Sequence, residues 1–562
     1  MAPQTEVSNR PASSDLSFVG SARTMAEIFD YVIVGSGPAG CVLSNRLTED
    51  GSSTVCLLEA GTADRHPYLK IPAGFVKVLY SGKFSWPFET AKIHSLGDRI
   101  ISLPQGKVLG GSSSINGLAY SRGQSHDYED WKKLGNAGWG YEDVLPYFKR
   151  SERRLGSADP QYRGLTGELP ITDPDFKGDL CERFLDGVGE FGIARNPDYN
   201  GEVQDGAGYF QRYISKGWRV SASTAFLSAA KRRSNFKLKT KAEVVKILFE
   251  GRTAVGVIYM AGGTLHKVMA AKEVLLCAGT INSPRLLQLS GVGPRRLLSE
   301  CGIETVNDLP GVGENLQDHY TVRISARARD VGTINELSKG WKLLTQISKY
   351  ALGKPSILSL SPSLVHVFCK SDPGLSRGDI QVLFTPASYK EGRNYELDDF
   401  PGMSCGARQQ RPSSRGSVRI TSNDPSRLPY IQPNYLQTNE DQDVIVKALK
   451  IARQLMRTQA MAPYFADEVL PGEKVRTDDQ WLDFAKARGS TGYHLVGTCA
   501  MGPDNDPMAV VDKTLKVRGL KGLRVVDASI MPRLPSANTL AASLMIGEKA
   551  ADMIKLNQRQ GI

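Results

Sequence analysis

The chain of 562 residues has eight cysteines, at positions 41, 56, 181, 277, 301, 369, 405 and 499, with no CxxC pair and no repeated spacing. That scatter excludes a disulfide framework and a thiolate zinc site, so no metal is expected and a reducing, cytoplasmic setting is. Long apolar runs are also missing. Nothing approaches the roughly 18 uninterrupted apolar residues that a membrane span needs. Residues 1–27 are polar and lack the apolar stretch of a secretory signal, and read as a flexible N-terminal tail. Blocks of one charge are absent too. The formal net charge is +11, yet the basic residues are dispersed, with short clusters only at Lys231-Arg232-Arg233 and Arg295-Arg296. This is a mixed basic surface, not a nucleic-acid site, although peripheral contact with an acidic membrane stays open.

What remains is ordinary for a large globular protein: 41% hydrophobic and 23% charged residues, enough for one composite domain or two intimate ones. The strongest local signal is DYVIVGSGPAGCVLSNRLTEDGSSTVCLLEAG, residues 30–61. Tyr31 to Val34 is a short β-branched run of the kind found in buried parallel strands. Gly35, Gly37 and Gly40 follow at GxGxxG spacing, then a helical stretch from Ala39 to about Thr48, then a strand from Thr54 to Leu58 ending in Glu59. Gly35 permits a tight turn, Gly37 lets backbone approach a pyrophosphate, and Gly40 lets the helix pack on the strand. The helix start offers free N–H groups to phosphate, and Glu59 can accept from an adenosine ribose. These features indicate a dinucleotide site, with NAD and FAD both open at this point.

Three later segments extend the pattern. GKVLGGSSSINGLAYSRG (106–123) is a loop of small residues framed by Val108, Leu109, Ile115 and Leu118. KEVLLCAGTINSPRLLQLSGVGP (272–294) predicts a strand over 274–277, a turn at Gly279 and a helix starting near Ser283-Pro284. GLRVVDASIMPRLPSANTLAASLMIGEKAADMI (522–554) predicts a strand ending at Asp527 and a final apolar helix, with Asn538 as its N-cap. βα units this far apart imply one nucleotide-binding domain assembled from distant pieces.

Together with YHLVGTCAMG (493–502), these motifs resemble the glucose–methanol–choline (GMC) oxidoreductases, in particular choline-dehydrogenase-like and hydroxymethylfurfural-oxidase-like members. The resemblance runs from about Asp30 to Ile554. It implies an α/β fold with a Rossmann-like FAD-binding domain and an α+β substrate domain containing an antiparallel sheet. The expected division is a tail over 1–27, FAD-binding pieces over 28–165, 216–318 and 485–562, and substrate-domain pieces over 166–215 and 319–484. The implied cofactor is FAD. Some relatives tether it through a histidine seven residues before the double glycine; Leu103 stands there, so non-covalent FAD is expected. The implied cofactor contacts are Gly35, Gly37, Pro38, Ala39, Gly40, Glu59, Ala60, Trp86, Val108, Gly110, Ser114, Asn116, Gly117, Leu118, Val244, Ala278, Asp527, Ala528, Asn538 and Thr539.

The chemistry implied is oxidation of an alcohol, with His494 as base, since neutral imidazole can take a hydroxyl proton at ordinary pH. The resemblance also implies that the last helix directs its N-terminus at the flavin and stabilises its anionic reduced form. Counting back eight residues from Glu548 puts Leu540 where relatives carry an Asn or His partner to the catalytic histidine. Leucine cannot exchange protons, so the pair is expected to be reduced to His494 alone, with an apolar wall suited to aromatic or aliphatic alcohols. The expected partners are thus a small alcohol and an oxygen- or quinone-type acceptor. The alternative is a non-redox FAD catalyst of the same fold, lyase-like or photodecarboxylase-like.

Overall fold

The computed structural model describes residues 26–391 and 395–560. The expected N-terminal tail lies outside them except for its last two residues, and Glu27 already begins a strand. Two sheets carry the architecture, the first mixed and the second antiparallel. The first is a seven-stranded sheet in the order Phe236–Thr240, Val55–Glu59, Glu27–Val34, Thr264–Leu276, Thr253–Ala261, Glu243–Glu250, with Leu523–Val525 added beside Thr264–Leu276. Phe236–Thr240, Val55–Glu59, Glu27–Val34, the C-terminal part of Thr264–Leu276 and Leu523–Val525 run parallel, and the other two strands form an antiparallel arm. The residues Tyr31–Val34 and Val55–Leu58 are fully buried, which is why they read as continuous apolar runs.

The second sheet is antiparallel, in the order Phe465–Leu470, Tyr320–Ala328, Gly402–Gln409, Ile380–Thr385, Val365–Cys369, Gly206–Tyr209. Ser490–Thr491 pairs with its Tyr320 end, so the second sheet reaches into the stretch 485–562 that the sequence reading gave wholly to the nucleotide-binding unit. The amphipathic helix Asn439–Leu455 covers Gly402–Gln409, a strand buried along its entire length.

Two local details show how residue choice sets these elements. Gly35 has φ +99°, and a Cβ there would sit 2.5 Å from the Cys277 carbonyl oxygen; one on Gly40 would sit 2.1 Å from the Gly35 carbonyl oxygen. No side chain fits either place. The helix after Cys277 spans Gly279–Leu289, so Pro284 lies inside it and not in its first turn. Proline removes the amide that would bond Thr280 C=O, and Thr498 Oγ1 donates to that carbonyl instead at 2.6 Å. The orphaned acceptor is satisfied from another segment, which a sequence window does not reveal.

The last helix, Thr539–Gln560, packs across the first, Pro38–Thr48. At the crossing a Cβ on Gly547 would lie 2.9 Å from Ala39 Cα. Next to it, Glu548 is wholly buried and accepts from Arg46 Nε and Nη2, each at 2.8 Å, with Arg150 Nε at 3.0 Å. Arg46 also donates to Glu168. Glu548→Ala should therefore leave two guanidinium groups short of a buried partner and cost about 3–5 kcal/mol, read as a lower Tm of the flavin-loaded protein. An unchanged Tm would mean that Glu168 alone compensates Arg46.

Candidate active site

A cavity of about 660 Å³ opens between the two sheets, within the range of cofactor and ligand sites. Gly35, Gly37, Pro38 and Ala39 line it, and the helix they start has no side-chain cap and no acid in its first turn. Its N–H groups are available to an anion. Glu59 and Ala60 line the cavity beside them. Glu59 accepts from Ser36 Oγ (2.6 Å), Ser36 N (3.0 Å) and Gly61 N (2.7 Å). Burial nonetheless pushes its carboxyl above the ordinary range. Gly279, at φ +85°, faces open space where any side chain would project. Uncapped amides, a strand-end carboxylate and an open glycine cradle fit a dinucleotide such as FAD.

Trp86, Asn116, Gly117, Leu118, Val244, Ala278, Asp527, Ala528, Asn538 and Thr539 also line the cavity. Gly40, Val108, Gly110 and Ser114 do not. Gly40 is used in helix packing, Val108 is buried among Leu69, Phe84 and Ile115, and Ser114 Oγ donates to Leu109 O inside the turn that starts at Gly110. The loop presents Gly111, Ser112, Ser113 and Asn116 to the cavity instead. Arg219, absent from the sequence reading, braces it by donating to Ser113 O, Asn116 O and Asn116 Oδ1. Asp527 lines the site, but its oxygens accept from Gly279 N, Ser283 Oγ, Ser529 N and Ser529 Oγ, so it organises the backbone around it.

His494 lies at the meeting of the two sheets, 7% exposed. Its neighbour Tyr493 has φ +63°, a left-handed conformation uncommon outside glycine. Tyr493 is tied by Thr491 Oγ1, which accepts from its amide at 2.8 Å, and by a hydroxyl contact of 2.5 Å to Tyr80. Asp318 Oδ1 accepts from His494 N at 2.7 Å. The ring is held by a chain of contacts that assigns its protons. His319 Nε2 lies 2.8 Å from the Gln410 carbonyl, a pure acceptor, so Nε2 carries the hydrogen and His319 Nδ1 carries the lone pair. His494 Nδ1, 2.9 Å from that lone pair, must then donate to it. The free lone pair of His494 is left on Nε2, facing Asn538 Nδ2 at 2.9 Å. Arg408 Nη1 stands 3.3 Å from Nδ1, a longer and purely electrostatic contact in this arrangement. Burial, then the Arg408 charge, holds the ionisation of both imidazoles well below 6.5.

The side chain set against His494 is thus Asn538 and not residue 540, which corrects the expectation of a reduced pair. Two helical residues are about 200° of rotation, so Leu540 turns to another part of the cavity wall. The expected capping role of Asn538 is corrected as well. Its amide is drawn to the imidazole, and Oδ1 is buried without a partner. His319 and Arg408 were missed because they come from the second sheet with no spacing that ties them to His494.

Comparison with known proteins agrees with this geometry. Models of the GMC oxidoreductase N- and C-terminal regions match residues 29–321 and 412–547. The chain belongs to the GMC oxidoreductase family. An oxygen-dependent choline dehydrogenase of Photobacterium profundum is 38% identical over 536 residues, covering 94% of this chain and 93% of that protein. An alcohol dehydrogenase [acceptor] of Pseudomonas putida is 39% identical over 534 residues, covering 94% and 96%. Among solved structures, pyridoxine 4-oxidase from Mesorbium loti has a TM-score of 0.85 at 30% identity, covering 94% of this chain and 99% of its own. A formate oxidase has a TM-score of 0.88 at 26% identity, covering 95% and 99%. This GMC oxidoreductase is an FAD-dependent enzyme acting on CH–OH groups, and the non-redox alternative is not favoured. Among the described residues no helix is long and apolar enough to cross a membrane, and no cluster of three or more His, Cys, Asp or Glu could hold a metal ion.

Glu59→Gln keeps the shape of the cradle but turns an amide donor toward the Ser36 or Gly61 donors. FAD affinity should fall roughly ten- to a hundredfold, the worth of a hydrogen bond to a charged group, measured as free-flavin fluorescence on dilution. Undiminished retention would remove Glu59 from cofactor binding.

Proposed function

We propose that the protein oxidises a primary or secondary alcohol, aromatic or aliphatic, to the aldehyde or ketone, with His494 Nε2 as the base. The observation that carries this is the chain from the Gln410 carbonyl through His319, which leaves a lone pair on the one His494 nitrogen beside Asn538. An alcohol O–H that donates to Nε2 displaces the Asn538 amide from that single lone pair. The freed Nδ2–H can then donate to the alcohol oxygen as negative charge develops there. His494 becomes imidazolium as the proton arrives, a cost in this buried setting that the adjacent developing oxyanion offsets. FAD supplies the acceptor for the hydride that leaves the same carbon. The start of the last helix, with Asn538 and Thr539, also borders the cavity, and its positive end favours charge acquired by the cofactor. Leu540 contributes an apolar stretch of wall.

FAD is proposed to be held without a covalent bond. Leu103 is a saturated, fully buried side chain packed in the core under the second sheet. The acceptor that reoxidises the flavin is proposed to be oxygen or a quinone-type molecule. Acid precipitation should release all the flavin into solution; colour retained by the pellet would disprove non-covalent binding.

Substitution separates the two residues at the helix start. His494→Ala should slow flavin reduction by on the order of 10²- to 10⁴-fold, and Asn538→Ala by about ten- to a hundredfold, with flavin content retained in both. Leu540→Asn should give no acceleration; a gain there would restore residue 540 as the missing partner. Because burial lowers the His494 pKa, the base is lost only well on the acid side of its usual value. The rate of flavin reduction should stay level as pH falls through about 6.5. An inflection at that pH would show that the imidazole is not shielded.

A further inference from the structure

Arg323 borders the cavity that contains His494, and among the described residues its side chain makes no hydrogen bond or ion pair. Its guanidinium lies 4.7 Å from the Tyr389 ring centre. The other charged side chains of that wall are accounted for. Arg488 pairs with Glu391, Lys390 with Glu396 and Asp399, and Arg408 donates to Gln381 Oε1. A half-buried cation facing a reaction cavity without a counter-charge asks for one from the ligand.

The strand that carries Arg323 supports the same conclusion. Alternation puts Thr321, Arg323 and Ser325 on one face of Tyr320–Ala328, and all three border the cavity. Thr321 Oγ1 and Ser325 Oγ are buried without a partner. Across the sheet Thr321 pairs with Arg408, which touches His494, and Arg323 pairs with Gly406. Arg323 therefore sits about 7 Å along the strand from the pair nearest the base. The planar Arg323 fork, free of any carboxylate partner among the described residues, matches a ligand carboxylate, which can accept from it through two parallel N–H bonds. A plain alkyl alcohol would leave the guanidinium unpaired. A quaternary ammonium would meet a fixed positive charge already placed over the Tyr389 face that would otherwise attract it.

We infer that the preferred substrate is an alcohol carrying a carboxylate at its far end, held by the Arg323 guanidinium while the CH–OH group meets His494 Nε2. The inference rests on the alcohol-oxidation reading, and it adds an anion subsite that separates this enzyme from relatives named for choline. The reaction then converts a hydroxy acid to the corresponding oxo acid, with the proton taken by His494 and the hydride by FAD.

The test uses the flavin-loaded protein. Anaerobic flavin reduction is followed with ω-hydroxy acids of three to six carbons, the n-alcohols of the same length, choline, and glycerol phosphate. The best hydroxy acid should exceed its matching n-alcohol in kcat/KM by about ten- to a hundredfold, with choline poorer than both. Arg323→Met should reduce that ratio by a similar factor, and Arg323→Lys should restore part of it. Butyrate, which cannot be oxidised, should perturb the flavin absorbance of the unmodified protein and fail to do so in Arg323→Met. Equal use of acids and plain alcohols, a preference for choline or glycerol phosphate, or an unaltered ratio in Arg323→Met would overturn the carboxylate assignment. If no alcohol reduces the flavin, the oxidation reading fails, and butyrate binding still decides the subsite.

Discussion

The docking of the last helix on the first is the contact on which the site depends. Ala39 and Gly547 allow the two backbones to touch, and the buried Arg46–Glu548 pairing holds them in register. The start of the first helix offers its amides to the cofactor, and the start of the last carries Asn538 to His494. One packed crossing therefore sets where the cofactor and the proton acceptor stand relative to each other, although more than 500 residues of chain separate Arg46 from Glu548. Buried charge pairs are costly to form and costly to break, so this register tolerates little slippage.

The buried carboxylates around the cavity organise the backbone that surrounds it. Glu59, Asp318 and Asp527 have their oxygens engaged, whereas Asn538 Oδ1 is buried without a partner while its amide faces His494. The His494 lone pair is set by a carbonyl that reaches it only through His319. Gln410 C=O can only accept, and that single restriction passes through His319 to place the free lone pair on His494 Nε2. Burial and the Arg408 charge keep both rings neutral at ordinary pH, so the His494 Nε2 lone pair is available to accept a proton.

The nucleotide-binding elements were legible in the sequence because their causes are local. A tight turn, a close approach and a buried strand each leave a mark within a few residues, as at Gly35, Gly40 and Tyr31–Val34. His494 was legible for a different reason: it stands in a motif shared with a known family. The identity of its partner was not. Asn538 and Leu540 are two places apart in the same apolar helix start, and only the rotation of that helix against the second sheet decides which one faces the imidazole. Pro284 misled in the same way, because a side chain from residue 498 repairs the bond that proline removes.

The FAD-binding fold was readable along the chain because glycine turns and buried strands are local, and the family resemblance carried by contiguous motifs implied the reaction class and pointed to His494. Folding was needed to show the Asn538 partner, the proton placement through His319, the support of the loop by Arg219 and the unpaired charge of Arg323. Each of these depends on which side chains meet across strands and helices that are distant in the chain. A side chain's partner is a property of packing, and packing has no local period to read.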